Sequence, residues 1–365
     1  VYLISKRPRP VYLVDFMTSK MDDKLKMTMD ETKQIIVRSG LFTQEYIDWQ
    51  SRLLDRTGLG SETYLPRPFH EDPMITTLAS SREECEIVIK CACDRLFRNA
   101  EIDPTKDIDV VICNCSLFNP TPSISAMLMN IYKIKDTCKN YNLSGMGCSA
   151  GLLSIDLARE LLQVYPNINV LVFSTENITQ NWYDGKEKGM LLSNTLFRMG
   201  GAAILLSNKP SMRFRSRFQL LKTLRIHHGK FDDSYGAVFQ REDAQGKVGV
   251  KIGRELLRCV TRALTENMNT LMPQFMSYMD YFRAALFYGQ DFLEKRKAKQ
   301  LEAKRKAEAA AAGEDAGEKK AEETKPKQPK KAFVPNFREI FQAFCIHAGG
   351  RGIIDGLQKN LHLTD

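Results

Sequence analysis

The sequence predicts an α/β fold: a mainly parallel sheet covered by helices on both faces. Three observations carry that expectation. Short apolar runs at 109–116, 169–174 and Gly200–Ser207 alternate with stretches of helical periodicity. The runs are apolar throughout rather than alternating, as strands buried on both faces are. Finally, 365 residues, 43% of them hydrophobic, suffice to bury one large core or two ordinary ones.

Taken in order, residues 11–16 follow Pro8 and Pro10, are rich in Val and Tyr, and read as a first strand. Amphipathic helices are expected near 30–38 and 43–56, then a Gly/Pro-punctuated loop over 58–73. Ser81-Arg-Glu-Glu84 has the spacing of a capping box in front of a helix reaching about Asn99. A buried strand at 109–116 precedes a helix opened by Ser123, and a further helix is expected over 152–164. Strands at 169–174 and Gly200–Ser207 complete a first domain over 1–212, the second of them stopped by Asn208-Lys-Pro210.

A second, similar half is expected to begin at Arg213, with a strand to about His227, a polar loop and a helix over 253–268, giving a part-domain over 213–293. Residues 294–331 are different: Lys, Glu and Ala with almost no large apolar side chain. Such a stretch buries no core, so its first part fits a charged helix and its Gly/Pro part a disordered linker. Residues 332–365 resume the fold, with an apolar strand over 340–347 and a helix reaching Asn360.

The net charge of +9 raises the question of nucleic acid, and its placement answers it. Residues 294–331 alone hold 13 Lys/Arg against 8 Asp/Glu, and no aromatic residues interleave with basic ones as single-strand binders require. Nucleic acid is therefore not an expected partner. No stretch of 18 apolar residues occurs, so no transmembrane helix is expected in this chain. Nine irregularly spaced cysteines and no apolar amino-terminal signal point to free thiols in a reducing compartment. The pairs Cys91/Cys93 and Cys113/Cys115 invite a zinc reading, but no histidine stands at finger-like spacing, so no metal is expected.

Chemistry concentrates in Ser144-Gly-Met-Gly-Cys-Ser-Ala-Gly151. Small residues flank Cys148 on both sides and an apolar helix follows, which places a thiol on a tight turn at a helix start. There the unpaired backbone N–H groups and the helix dipole favour the thiolate, the nucleophilic form. His347 ends the apolar 340–347 run just before Gly349-Gly350, so its imidazole is expected to face Cys148 from the other half. His227 and His228 are adjacent, and on a strand only one of them can face a site. His70 and His362 have no context that lifts them above surface residues. Arg213, Arg215 and Arg217 recur at period two, which on a strand makes one face, either a solvated edge or a phosphate contact.

The runs Gly145-Met-Gly-Cys-Ser-Ala-Gly-Leu-Leu-Ser-Ile-Asp-Leu-Ala-Arg-Glu-Leu-Leu-Gln163, Ser174-Thr-Glu-Asn-Ile-Thr-Gln-Asn-Trp-Tyr183 and Leu196-Phe-Arg-Met-Gly-Gly-Ala-Ala-Ile-Leu-Leu-Ser-Asn208 strongly resemble the plant-type 3-ketoacyl-CoA synthases. These are the condensing enzymes of very-long-chain fatty-acid elongation. Matching segments extend from Arg7 to Leu361. The resemblance implies a thiolase-like layered fold of two similar βαβ-type halves (αβαβα), with the second half incomplete in this chain. It implies that Cys148 takes an acyl chain from acyl-CoA and that malonyl-CoA then decarboxylates and attacks the thioester. His347 would activate the cysteine and, with the Cys148 N–H, stabilise the enolate and oxyanion, while His227 would be a supporting site residue.

No metal or redox cofactor is implied; coenzyme A thioesters are the substrates. Other elongase subunits, a second copy of the chain and the cytosolic face of the endoplasmic reticulum membrane, reached through a segment this chain lacks, are implied as surroundings. Two departures stand out. Ala343 occupies a place where the family carries a further histidine, and the Arg-Phe-Gly-Asn-Thr run that bears the family's catalytic asparagine does not occur before Asp365. The expectation is a C-terminally incomplete condensing enzyme; the alternative is a catalytically incomplete relative that binds acyl-CoA or elongase partners.

Overall fold

In the computed structural model, residues 8–311, 333 and 335–360 are described. They form two compact units: one built from the residues up to Ala263 together with Ala348–Ile353, the other from Leu264–His347 and the residues from Ile354 on. The first unit therefore runs well past residue 212, where the sequence suggests a boundary.

The first unit is organised by a six-stranded sheet. Its strands are β1 (Val11–Thr18), β2 (Val110–Asn114), β3 (Lys139–Leu143), β4 (Asn169–Glu176), β5 (Gly200–Ser207) and β6 (Phe218–Leu220), in the spatial order β3-β2-β4-β5-β1-β6. The β2 strand pairs in parallel with β3 and β4, whereas β4–β5, β5–β1 and β1–β6 are antiparallel. The sheet is thus mixed rather than mainly parallel. The segment after β4 leaves and returns at the same end of the sheet, pairing Glu176 with Gly200, so β5 has to run backwards.

Period-two alternation sorts the strands onto two cores. Val111, Cys113, Leu171, Phe173, Ala203 and Leu205 face the helices α1 (Leu78–Ala100) and α2 (Ile124–Tyr132). Val110, Ile112, Val170, Val172 and Leu206 face Ala158 and Leu162 of α3 (Ala150–Val164). With both faces covered, β2 is buried at every position, which is why its sequence does not alternate.

Several local expectations are met: helices at Met29–Arg38 and Gln44–Arg56, and a Ser123 cap that accepts a hydrogen bond from the Ala126 N–H. The capping box expected at Ser81–Glu84 is instead made by Thr77 and Ser80. Ser81 and Glu84 lie buried within the helix, where the Glu84 carboxylate accepts the Ile178 and Thr179 N–H groups, each at 2.8 Å. A buried carboxylate with two distant donors has no reason to fold back on its own helix end.

The region after β5 also differs. The strand expected from Arg213 to His227 shrinks to the three residues of β6, and the polar loop after it contains a hairpin, Val238–Glu242 with Val248–Ile252. Arg213 and Arg215 lie in a turn, Arg215 meeting the Ala100 carbonyl and Glu101, while Arg217 pairs with Asp15. The three guanidinium groups therefore do not share a strand face.

In the second unit, Ser277 and Asp280 cap the helix Tyr278–Ala311, and Phe341 packs edge-on against both Phe275 and Phe344. Residues 340–347 are not a strand: no described strand pairs with them, and a strand needs such a partner for its N–H and C=O groups. Of the charged 294–331 stretch, residues to Ala311 continue that helix and the remainder lies outside the described residues. The last helix, Arg351–Asn360, ends where the sequence suggests.

Candidate active site

Cys148 sits where its neighbours predict. Gly147–Ser149 form a single 3-10 turn that leads directly into α3. Gly145 and Gly147 adopt φ +67° and +64°, values that cost a residue with a side chain, so the bend into the helix depends on them. The second residue of α3 packs tightly: a Cβ on Gly151 would lie 3.2 Å from the Ser174 Oγ on β4. Below it, Ser154 donates to the Ala150 carbonyl and accepts from Asn114 at 2.9 Å, and Ser174 donates to Asn114 Oδ1 at 2.9 Å. Buried Asn114 of β2 and Ser154 of α3, with half-buried Ser174 of β4, thereby fix the helix start to the sheet.

Cys148 is an exposed residue, although its sulfur has lost part of its hydration. Its electrostatics run against expectation: the pKa is raised from the ordinary 9.0, first by displaced water, then by the Glu176 carboxylate, and the Cys148 N–H opposes them only in part. The backbone donor foreseen at the helix start is present, but the negative charge and lost hydration outweigh it. Glu176 ends β4 and gathers an unusual number of donors. Its carboxylate accepts from Cys115 Sγ at 3.1 Å and from the N–H groups of Ser116, Leu117 and Asn177 at 3.0, 3.2 and 3.1 Å. Ser116 in turn accepts the Gly145 N–H and donates its hydroxyl to the Gly147 carbonyl, each at 3.2 Å. Glu84 lies in the same region, its pKa raised to about 7 by burial despite its two N–H donors.

Of the other candidate residues, His227 belongs to the same unit as Cys148 and His347 to the other unit. His347 is exposed in a non-regular segment. His227 is exposed as well, and its Nδ1 accepts the Gly229 N–H at 3.2 Å. The buried member of the pair is His228, packed edge-on against Phe231 with ring centroids 5.4 Å apart. His70 is half-buried with Nε2 3.2 Å from the Leu65 carbonyl, and His362 lies outside the described residues. All nine cysteines are free, and no cluster suited to a metal ion occurs among the described residues.

Glu176, Ser116, Asn114 and Ser154 were not singled out by the sequence. Glu176 stands inside the Ser174-Thr-Glu-Asn run, but nothing in a linear string shows that it reaches residues 115–117.

Comparison with known proteins bears on this geometry. A family model described as FAE1/Type III polyketide synthase-like protein matches residues 3–295. The chain is 42% identical to 3-ketoacyl-CoA synthase 5 of Arabidopsis thaliana over 370 residues, covering all of this chain and 67% of that protein. It is likewise 42% identical to 3-ketoacyl-CoA synthase 9 of the same plant, covering all of this chain and 64% of that one. The chain thus spans about two thirds of the length of these relatives.

Among solved structures, the C-terminal type III polyketide synthase domain of Steely1 from Dictyostelium superposes with a TM-score of 0.60 at 16% identity, covering 72% of this chain and 73% of that one. Tetrahydroxynaphthalene synthase from Streptomyces coelicolor does so with a TM-score of 0.57 at 21% identity, covering 71% and 73%. Those structures establish the α/β thiolase-like fold, and the sequence relatives narrow it further: the chain belongs to the FAE1/type III polyketide synthase-like family, among its plant-type 3-ketoacyl-CoA synthases.

Proposed function

We propose that the protein is a 3-ketoacyl-CoA synthase that condenses a long-chain acyl-CoA with malonyl-CoA in very-long-chain fatty-acid elongation. The observation that carries this reading is the open Cys148 thiol, on a turn bent by two glycines at the start of a helix bolted to the sheet. The Cys148 sulfur attacks the acyl-CoA carbonyl, forms a thioester and releases coenzyme A as its thiolate, which takes the proton lost by the cysteine. Malonyl-CoA then loses carbon dioxide, and the resulting two-carbon enolate attacks the thioester to give 3-ketoacyl-CoA and return the cysteine thiolate. Loss of carbon dioxide drives the second stage.

Because Cys148 has a raised pKa in the resting chain, the reaction needs a base or a cation to favour the thiolate. We assign that role to His347 on its sequence context, with His227 as a supporting residue. The Cys148 N–H is the candidate oxyanion donor. On the family resemblance we further place the protein at the cytosolic face of the endoplasmic reticulum membrane, as a homodimer beside other elongase subunits, using coenzyme A thioesters and no metal or redox cofactor. No helix among the described residues is long and apolar enough to cross a membrane.

Incubation with a long-chain acyl-CoA followed by intact-protein mass spectrometry tests the central step. An adduct of one acyl chain is expected, lost in Cys148→Ala and reduced in His347→Ala. A folded chain that gains no acyl group, or one that still gains it in Cys148→Ala, overturns the proposal.

A further inference from the structure

We infer that Glu176 is a positioning residue for the nucleophile: through Ser116 it holds the glycine turn that carries Cys148. The inference rests on the reading of Cys148 as the acylated residue. Three segments converge on this one carboxylate, namely the end of β2 through Cys115, Ser116 and Leu117, the end of β4 through Asn177, and, by way of Ser116, the glycine turn. Ser116 is the relay. Its N–H is fixed by Glu176, its carbonyl holds Gly145, and its hydroxyl holds Gly147, the residue immediately before Cys148.

A neutral acceptor would engage these donors more weakly, since hydrogen bonds to a charged carboxylate are roughly twice as strong. The charge has a second effect, because it opposes formation of the Cys148 thiolate. Glu84 and the thiols of Cys85 and Cys115 also feel the Glu176 charge, which raises their pKa values in part. None of these supplies a positive charge. The arrangement therefore favours a thiol that is well aimed but protonated at rest, and that becomes nucleophilic when a base takes its proton.

Two readouts on the full chain separate aiming from ionisation: the pH profile of Cys148 alkylation by iodoacetamide, located by peptide mass spectrometry, and the rate of acyl transfer from a long-chain acyl-CoA. In Glu176→Gln, alkylation at neutral pH should rise by about 3- to 10-fold as the charge is removed. Acyl transfer should fall by about tenfold or more as the turn loosens. Ser116→Ala keeps the charge and cuts the relay, so acyl transfer should fall with the alkylation profile unmoved.

Glu176→Asp, charged but shorter, should behave like Ser116→Ala. Thermal melts verify folding, and Ser116→Ala still decides the matter if Glu176→Gln does not fold. Opposite movement of the two rates is the signature that a merely structural residue would not produce. The inference is overturned if the Glu176→Gln alkylation profile matches the parent, if both rates move together, or if Ser116→Ala transfers acyl groups at the parental rate. Absence of acylation in the parent chain removes the functional reading instead, while the alkylation profile still tests the electrostatic part.

Discussion

At the scale of single residues, the nine cysteines separate by environment. Cys148 and Cys345 are exposed, whereas Cys85, Cys93, Cys113 and Cys115 are buried and their thiols pushed up by lost hydration, Cys85 to about 12. Thiolate is the reactive form, so burial protects these groups twice, by excluding reagent and by suppressing ionisation. Brief treatment of the native chain with a maleimide should therefore label Cys148 and Cys345, with Cys85, Cys93, Cys113 and Cys115 reacting only on unfolding; peptide mapping reads the result. Rapid native labelling of Cys113 would contradict the described packing of β2. Residue type alone did not distinguish these sulfurs. The glycines around Cys148 were legible, but the opposing charge of Glu176 was not, because it arrives from a strand end 28 residues further along the chain.

At the scale of elements, the start of α3 is joined to the sheet by small and polar residues, whereas its later turns pack apolar side chains there. Ser154 is fully buried and serves as acceptor for the Asn114 amide. Ser154→Ala should cost about 1–3 kcal/mol, the usual penalty for orphaning a buried donor, measured by urea unfolding. Gly201 in β5 faces a different constraint: a Cβ there would fall 2.5 Å from Val88 Cγ1 and 2.9 Å from the Ser174 carbonyl oxygen. Gly201→Ala should lower stability by about 1–3 kcal/mol. Adding Val88→Ala should recover only part of that loss, since the backbone contact on β4 remains; full recovery would show that Val88 was the sole obstacle.

Sequence periodicity located α1, α3, β2, β4 and β5 because each buries a continuous stripe or run. It missed β3, which is largely polar, and the hairpin Val238–Glu242/Val248–Ile252, whose first strand is exposed at every position. The β3 strand lies at the sheet edge, where its partner β2 supplies the hydrogen bonds and little apolar surface is asked of it.

At the scale of the whole molecule, one carboxyl links global stability to pH. Glu84 joins α1 to the segment after β4, and burial raises its pKa from an ordinary 4.5 to about 7. Between those values the folded chain binds a proton that the unfolded chain has released, so the Glu84 contribution to stability is fully present below about 4.5 and declines as pH rises to about 7. The shift amounts to roughly 3 kcal/mol. Glu84→Gln removes this term. The stability difference between parent and variant should stay constant below pH 4.5 and move against the parent by up to that amount near pH 7; parallel curves would refute the assignment.

The sequence by itself determined the layered α/β class, the glycine-bent turn under Cys148 and the places of the buried strands along the chain, because each of these is encoded by neighbours a few residues apart. It also carried enough long motifs to identify the family. Only the tertiary structure decided the antiparallel course of β5, the loss of a strand before His347, the burial of His228 rather than His227, and the meeting of Glu176 with residues 115–117. Those features depend on which distant segments pair or pack, and a carboxylate finds its donors, or a strand its neighbour, only once the sheet is assembled.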